Sequence, residues 1–221
     1  MRGIFVTGTD TDVGKTYVAT LLAAQLTASG LKVIPRKPIE SGCWLQHGEL
    51  IPADALALKT AASYQGDLSE VCAWRFEPAL SPVRAARMAQ QKITIEQLSQ
   101  ACKHNTGDGF VLVEGAGGFY SPLAEDGLNA DLAAALQLPV LLVANDRLGC
   151  INQILLTAEA IAHRGLKLAA IVLNAKDQNN NSAMDNAADL REHIDMPIFT
   201  FAHAQIDQKN LIKLAEYLQT L

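Results

Sequence analysis

The stretch Val6 to Thr20, "VTGTDTDVGKTYVAT", constrains the fold more than any other part of this chain. An apolar run, Ile4 to Val6, enters a turn rich in glycine and threonine, and Gly14-Lys15-Thr16 then opens a helical pattern that continues to Ser29. Strand, loop and helix in that order present backbone N–H groups and the positive end of a helix dipole to an anion. In the pattern Gly-x-x-x-x-Gly-Lys-[Ser/Thr] the loop surrounds phosphates, the lysine reaches the terminal ones and the hydroxyl holds magnesium. This chain carries a variant, with Thr9 at the strict first-glycine position and Gly8 one residue earlier. An ordinary strand-to-helix turn is the alternative reading. Two acids, Asp10 and Asp12, lie where a polyanion would approach. A carboxylate about 4 Å from phosphate would cost roughly 4 kcal/mol at an effective dielectric near 20, so both cannot face it.

The rest of the chain repeats the same rhythm. Short apolar runs, "LKVIP", "GFVLVEG", "PVLLVAND", "LAAIVLN" and "PIFTF", follow the first, mostly separated by helical patterns. Those patterns are Asp54 to Ala62, Pro82 to Gln90, Ile95 to His104, Ala130 to Leu136, Ile151 to His163, Ala183 to His193 and Lys209 to Leu218. Alternating strands and helices imply βαβ units and a parallel sheet. Phe110 to Val113 and Val140 to Val143 are apolar throughout, as strands covered by helices on both faces are. The expected fold is therefore α/β, a single P-loop NTPase-like domain over residues 1–221 with a mostly parallel sheet. Gly30 and Gly165 stand where helix C-caps belong. Ser41 to Ala53 and the stretch "NAKDQNNNS" read as loops, the first beside the site.

A phosphate loop of this kind needs a carboxylate at the end of a neighbouring strand. Glu114 ends "FVLVEGAGG", and Gly115, Gly117 and Gly118 after it let backbone approach a ligand. Asp54 precedes "ALALKTAA" and reads equally as a helix N-cap or a ligand. Lys37 and Ser41, in "VIPRKPIESG", follow the second strand, at the carboxyl end where open α/β sheets bind ligands. Lys37 reads as a solvated charge or a catalytic one. Gly149 and Cys150, in "DRLGCINQ", open a helix that holds an anion or merely follows a tight turn. Asn174-Ala175-Lys176-Asp177 has the wrong order for guanine; Asn174 is a candidate for a purine edge, while Lys176 and Asp177 read as solvated. The histidines, at 47, 104, 163, 193 and 203, have no metal spacing, and the four cysteines contain no Cys-x-x-Cys pair.

Taken in order, "FVTGTDTDVGKT", "KPIESG", "DALAL", "VLVEGAGG" and "LGCIN" resemble the dethiobiotin synthetase family over most of residues 4 to 175. The last 40 or so residues match only loosely. The resemblance implies a homodimer, with its site at the subunit interface, that uses ATP, Mg2+ and CO2 to convert 7,8-diaminononanoate (7,8-diaminopelargonate) into a cyclic urea through a carbamate and a carbamic–phosphoric anhydride. It implies that Lys15 and Lys37 flank the transferring phosphate, that Thr11 holds the carbamate end, and that Thr16, Asp54 and Glu114 ligate magnesium. Asp12, Val13, Gly14, Tyr17, Gly115, Ala116, Gly117 and Asn174 fall on the nucleotide side. Ser41 would contact the diamine, and Gly149, Cys150 and Asn152 of the partner subunit would receive its distant carboxylate.

Three departures stand out from that family. Asp12 replaces the common glutamate and is expected to turn from the phosphates toward the diamine or a water on magnesium. Glu40 replaces a small residue and is expected to add charge near the substrate end. "TFAHAQ" around Phe201 lacks a Pro-Trp pattern near the adenine. A rival is a ParA- or MinD-like ATPase switch acting on DNA or membrane, but that class has a lysine where Asp10 stands and commonly a basic patch. The formal net charge of −5 and pI near 5.5 argue against nucleic acid or anionic lipid as partners. Hydrophobic residues at 49% and charged residues at 19% suit a compact soluble protein, and the N-terminus lacks an export pattern, so the expected location is the cytoplasm.

Overall fold

The computed structural model describes residues 1–176, 184–202 and 208–221. In chain order the first elements are β1 (Gly3–Gly8), α1 (Lys15–Ala28), β2 (Val33–Arg36), β3 (Ile39–Ser41), β4 (Trp44–Gln46), β5 (Glu49–Ile51) and α2 (Ala53–Ala61). Next come α3 (Leu68–Val71), β6 (Trp74–Phe76), α4 (Pro82–Met88), α5 (Ile95–Lys103), β7 (Phe110–Gly118), β8 (Pro122–Ala124), β9 (Gly127–Leu128) and α6 (Asn129–Leu136). The chain continues through β10 (Val140–Asn145), α7 (Cys150–His163), β11 (Leu168–Asn174), α8 (Asn186–Arg191), β12 (Ile198–Phe201) and α9 (Gln208–Gln219).

The six apolar runs form one parallel sheet in the order β12-β11-β10-β1-β7-β2. Because side chains alternate across a strand, each run divides between two cores. Phe5, Val111, Val113, Leu142 and Ile171 pack with Leu98, Leu132 and Ile154 of α5, α6 and α7 on one face. Ile4, Val6, Leu112, Leu141 and Val172 pack with Val18, Leu22 and Leu26 of α1 and Leu211 and Leu214 of α9 on the other. That double burial is why these strands carry no polar alternation. Gly30 and Gly165 adopt positive φ just past α1 and α7, as expected of C-caps.

Register, rather than local sequence, assembles the site. β1 lies between β10 and β7, so the strand order reverses there and the loop after β1 opens at a switch point. On β7, Glu114 lies opposite Val6; on β2, Arg36 lies opposite Val113, which brings the next residue, Lys37, beside Glu114. The expected loop at residues 41–53 is partly ordered instead: β4 and β5 pair as an antiparallel hairpin, Trp44 opposite Ile51, with Gly48 at positive φ in its turn. The hairpin was not legible because its strands are only three residues long. Most of "NAKDQNNNS", Ala183 at the start of the predicted helix, and residues 203–205 of "TFAHAQ" lie outside the described residues.

Candidate active site

Gly14 has φ 93° and serves as the N-cap of α1, so Lys15 and Thr16 begin the helix directly after the loop. A Cβ at Gly14 would also collide with Asn174 Nδ2, and only glycine meets both conditions. Gly8 explains the displaced glycine: a Cβ there would sit 2.7 Å from Val13 Cγ2 and 2.8 Å from the Asp10 carbonyl, so this variant loop needs its first glycine at position 8. Gly14→Ala is expected to weaken nucleotide binding about tenfold, because an L-residue in left-handed backbone costs about 1–2 kcal/mol. Titration calorimetry would measure it, and unchanged affinity would remove this glycine's role.

Beyond the loop lies a cavity of about 500 Å³ lined by Thr11, Asp12, Gly14, Lys15, Thr16, Tyr17, Lys37, Glu40, Ser41, Asp54, Glu114, Ala116, Gly117 and Lys176. Twelve of the residues expected at the site are among them, while Val13, Gly115, Asn174, Gly149, Cys150 and Asn152 are not. At its floor Lys37 Nζ lies 2.6 Å from Glu114 Oε1 and 3.0 Å from Asp54 Oδ2, and Thr16 Oγ1 donates to the same Glu114 oxygen at 2.7 Å. Lys37 and Glu114 are buried, while the Asp54 side chain is 40% exposed toward the cavity. Burial pulls the Lys37 ammonium down, but Glu114 and Asp54 outweigh it and hold the group above the ordinary lysine range. Lys37 in turn overrides the effect of burial on Asp54 and keeps that carboxylate low. Among the described residues Lys15 has no ion-pair partner: burial first, and then Lys37, bring its ammonium down to about 8 against the weaker opposing pull of Glu114, Asp54 and Asp10. Lys15 Nζ donates to the Asp10 carbonyl at 3.0 Å.

Magnesium fits the oxygens gathered here. Glu114 Oε2 is buried with no hydrogen-bond partner, beside the Thr16 hydroxyl and the half-exposed Asp54 carboxylate. A hard cation binding through few protein oxygens, with phosphate and water supplying the rest, suits such a set. Among the described residues no group of three or more His, Cys, Asp or Glu could hold a metal ion, and this site offers two carboxylates only.

The two loop acids are engaged in different ways. Asp10 folds onto its own loop, Oδ1 accepting from the Thr11 N–H at 2.7 Å. Asp12, at φ 59°, borders the cavity, and its Oδ2 lies 2.6 Å from Lys176 Nζ, which also donates to the Asp12 carbonyl at 2.7 Å. Lys176 is therefore not a simply solvated charge, because the end of β11 carries it over the loop. Asn174, expected at a purine edge, makes a contact within the chain. It is buried, and its Nδ2 donates to the Val13 carbonyl at 3.0 Å, so it braces the loop.

Other expectations also shift. Asp54 is the second residue of α2 and not its N-cap. Glu40 borders the cavity, and both its oxygens accept backbone N–H groups of α2. Ser41 Oγ donates to the Leu80 carbonyl at 2.6 Å. Gly149, Cys150 and Asn152 start α7 and do not line this cavity in the same chain; Cys150 is buried, Gly149 and Asn152 exposed. Asn129 was missed altogether. Fully buried at the start of α6, it accepts from the Ala116 N–H at 3.0 Å and donates to the carbonyls of Ala116 and Gly118. It thus holds the glycine turn after Glu114, yet in sequence it looks like any polar residue before a helix.

Comparison with known proteins adds a second line of observation. The sequence model of a family described as an AAA domain matches residues 2–207. The chain is 40% identical over 201 residues to the ATP-dependent dethiobiotin synthetase BioD of Ruthia magnifica subsp. Calyptogena magnifica, covering 91% of each protein. It is 41% identical over 192 residues to the protein of the same name from Anaeromyxobacter dehalogenans strain 2CP-1, covering 86% of this chain and 84% of that protein. Among solved structures, the cell division ATPase MinD of Pyrococcus furiosus superposes over 100% of this chain and 99% of its own, with a TM-score of 0.57 at 16% identity. At that identity the likeness shows a common P-loop NTPase-like fold and nothing further.

Proposed function

Since the chain belongs to the ATP-dependent dethiobiotin synthetase family, an ATP-dependent ligase family of biotin biosynthesis, we propose that residues 1–221 form a single synthetase domain converting 7,8-diaminononanoate, CO2 and ATP into dethiobiotin, ADP and phosphate. One amine of the diamine adds to CO2 to give a carbamate. A carbamate oxygen then attacks the γ-phosphorus and ADP leaves, and the second amine attacks the resulting carbamic–phosphoric anhydride to close the urea with loss of phosphate. The observation that carries this reading is the Lys37–Glu114–Asp54–Thr16 cluster on the floor of a cavity that also holds Lys15, Thr11 and Ser41.

Each residue has a task that follows from its surroundings. The loop N–H groups from Val13 to Thr16, at the α1 N-terminus, receive phosphate oxygens. Thr16, Asp54 and Glu114 would hold magnesium, which when bound offsets charge on the phosphates. Lys15, desolvated and without a carboxylate partner of its own, gains most from an arriving phosphate anion. Lys37 stays charged and fixed, so it offers a pre-oriented cation where charge builds up during transfer. Thr11 and Ser41 lie on the open side, where they orient the carbamate and the diamine. Tyr17, Gly115, Ala116 and Gly117 border the nucleotide, while Asp12, Val13 and Asn174 keep the loop in shape.

The proposal includes a homodimer in the cytoplasm. Gly149, Cys150 and Asn152 would meet the substrate carboxylate of the partner's site, a reading supported by the exposed apolar side chains of Leu148 and Leu156 around that helix start. Among the described residues no helix is long and apolar enough to cross a membrane. The test is purified protein with the diamine, bicarbonate and MgATP, followed for cyclic urea and ADP. Equal amounts of both, dependent on the diamine, are expected. ADP released without the diamine, or turnover stimulated by DNA alone, would replace this reading with that of an ATPase switch.

A further inference from the structure

Helix α2 has no N-cap of its own. The cap position is Pro52, extended at φ −82° and ψ 107°, with no side-chain acceptor. Yet the N–H groups of Asp54 and Ala55 are satisfied, the first by Glu40 Oε1 and the second by Glu40 Oε2, each at 3.0 Å. These are the second and third helical positions, the same two donors that an N-cap side chain serves. The acceptor comes instead from buried Glu40 on β3, on the far side of the β4–β5 hairpin.

We propose that Glu40 is a positioning residue that caps α2 from outside the helix and thereby fixes Asp54 beside Lys37 and Glu114; its bearing on the metal rests on the reading of Asp54 as a ligand given above. Three observations support it. One of the two bonds is to the N–H of Asp54 itself, so the cap acts on the backbone that carries the carboxylate. The Asp54 side chain is 40% exposed and touches the cavity floor through Lys37, so its placement depends on where the helix begins. A carboxylate at a helix N-terminus is favoured by the dipole, which suits an acid at position 40 better than an amide. Glu40 does border the cavity, but each of its oxygens is already held by a backbone N–H of α2.

The experiment compares wild type with Glu40→Ala, Glu40→Gln and the double variant Glu40→Ala/Pro52→Asp. Amide hydrogen exchange at residues 54 and 55 is read by NMR, and Mn2+ binding in the presence of ADP by electron spin resonance. Glu40→Ala is expected to lose protection at both amides and to weaken Mn2+ binding, each by roughly five- to tenfold, the usual scale of a lost cap. Glu40→Gln should fall between, and Pro52→Asp should restore both readouts by placing an acceptor at the N-cap. Unchanged protection in Glu40→Ala overturns the proposal. So does unchanged Mn2+ binding with a raised KM for the diamine, which would make Glu40 a substrate contact. If Glu40→Ala does not fold, Glu40→Gln carries the same comparison. Asp54→Asn separates the two readings: Mn2+ binding indifferent to it removes Asp54 from the metal site, while amide protection still decides the cap.

Discussion

Replacing Lys37 by glutamine is expected to lower turnover by about 10²- to 10³-fold while nucleotide affinity changes by less than about threefold, the pattern of a group whose interaction strengthens in the transition state. The reason lies in its surroundings. Lys37 Nζ is buried between Glu114 and Asp54, so its position is set before any substrate arrives and no reorganisation is needed when charge develops on the transferring phosphoryl group. Glutamine keeps a donor toward Glu114 and nearly the same volume, which limits the structural damage, but supplies no charge. The phosphate contacts proposed for the loop backbone and Lys15 would be untouched, and on that proposal they dominate ground-state binding of the nucleotide. Stopped-flow turnover together with calorimetric titration of the non-hydrolysed nucleotide would separate the two effects. A variant with wild-type turnover would remove Lys37 from the chemistry, and one that lost affinity and rate equally would make it a binding residue only.

Glu114→Gln has a larger effect on the fold. Glu114 is buried and anchors two groups at once: its Oε1 accepts from both Thr16 and Lys37, and Lys37 also approaches the Gly115 carbonyl at 3.4 Å. Neutralising it leaves the buried Lys37, among the described residues, with the half-exposed Asp54 as its remaining ion-pair partner and the more distant charge of Glu40. Breaking a buried ion pair on one side costs about 3 kcal/mol or more, because the remaining charge stays desolvated. For a chain of this length that corresponds to a fall of about 6–12 °C in melting temperature. The same change removes the unpartnered Oε2 as an anionic donor, so the magnesium concentration needed for half-maximal turnover should rise more than tenfold. Calorimetric melting and a magnesium titration read the two consequences independently. A melting temperature within a degree of wild type would show that Lys37 does not depend on Glu114, and an unchanged magnesium requirement would exclude Glu114 as a ligand.

Much of this site was legible in the sequence because its parts are local. Gly14-Lys15-Thr16 after an apolar run specifies strand, loop and helix within a dozen residues, and the loop geometry follows from neighbours in the chain. The six apolar runs were equally plain, since a strand buried on both faces leaves no polar position to blur the pattern. The order of the motifs identified the family, and residues of four of the five motifs gather around one cavity, "LGCIN" being the exception. Where local patterns were thin, the reading faltered. The β4–β5 hairpin has three-residue strands, too short for an alternation to register.

What the tertiary structure alone decided is which distant partners meet. Lys37 and Glu114 are 77 residues apart and become neighbours because β2 pairs with β7 in one particular register. Asn174, 161 residues from Val13, becomes a brace for the phosphate loop because β11 lies two strands from β1. Lys176 reaches Asp12, and Asn129 reaches the glycine turn, for the same kind of reason. Glu40 shows the contrast most clearly. In sequence it was an unwelcome charge near a substrate; in the fold both its oxygens close the open end of α2. Residue type and local period determine which elements form and what chemistry is present. Strand order and register, which no single segment encodes, determine which charges are paired, and hence which side chains are left free to act.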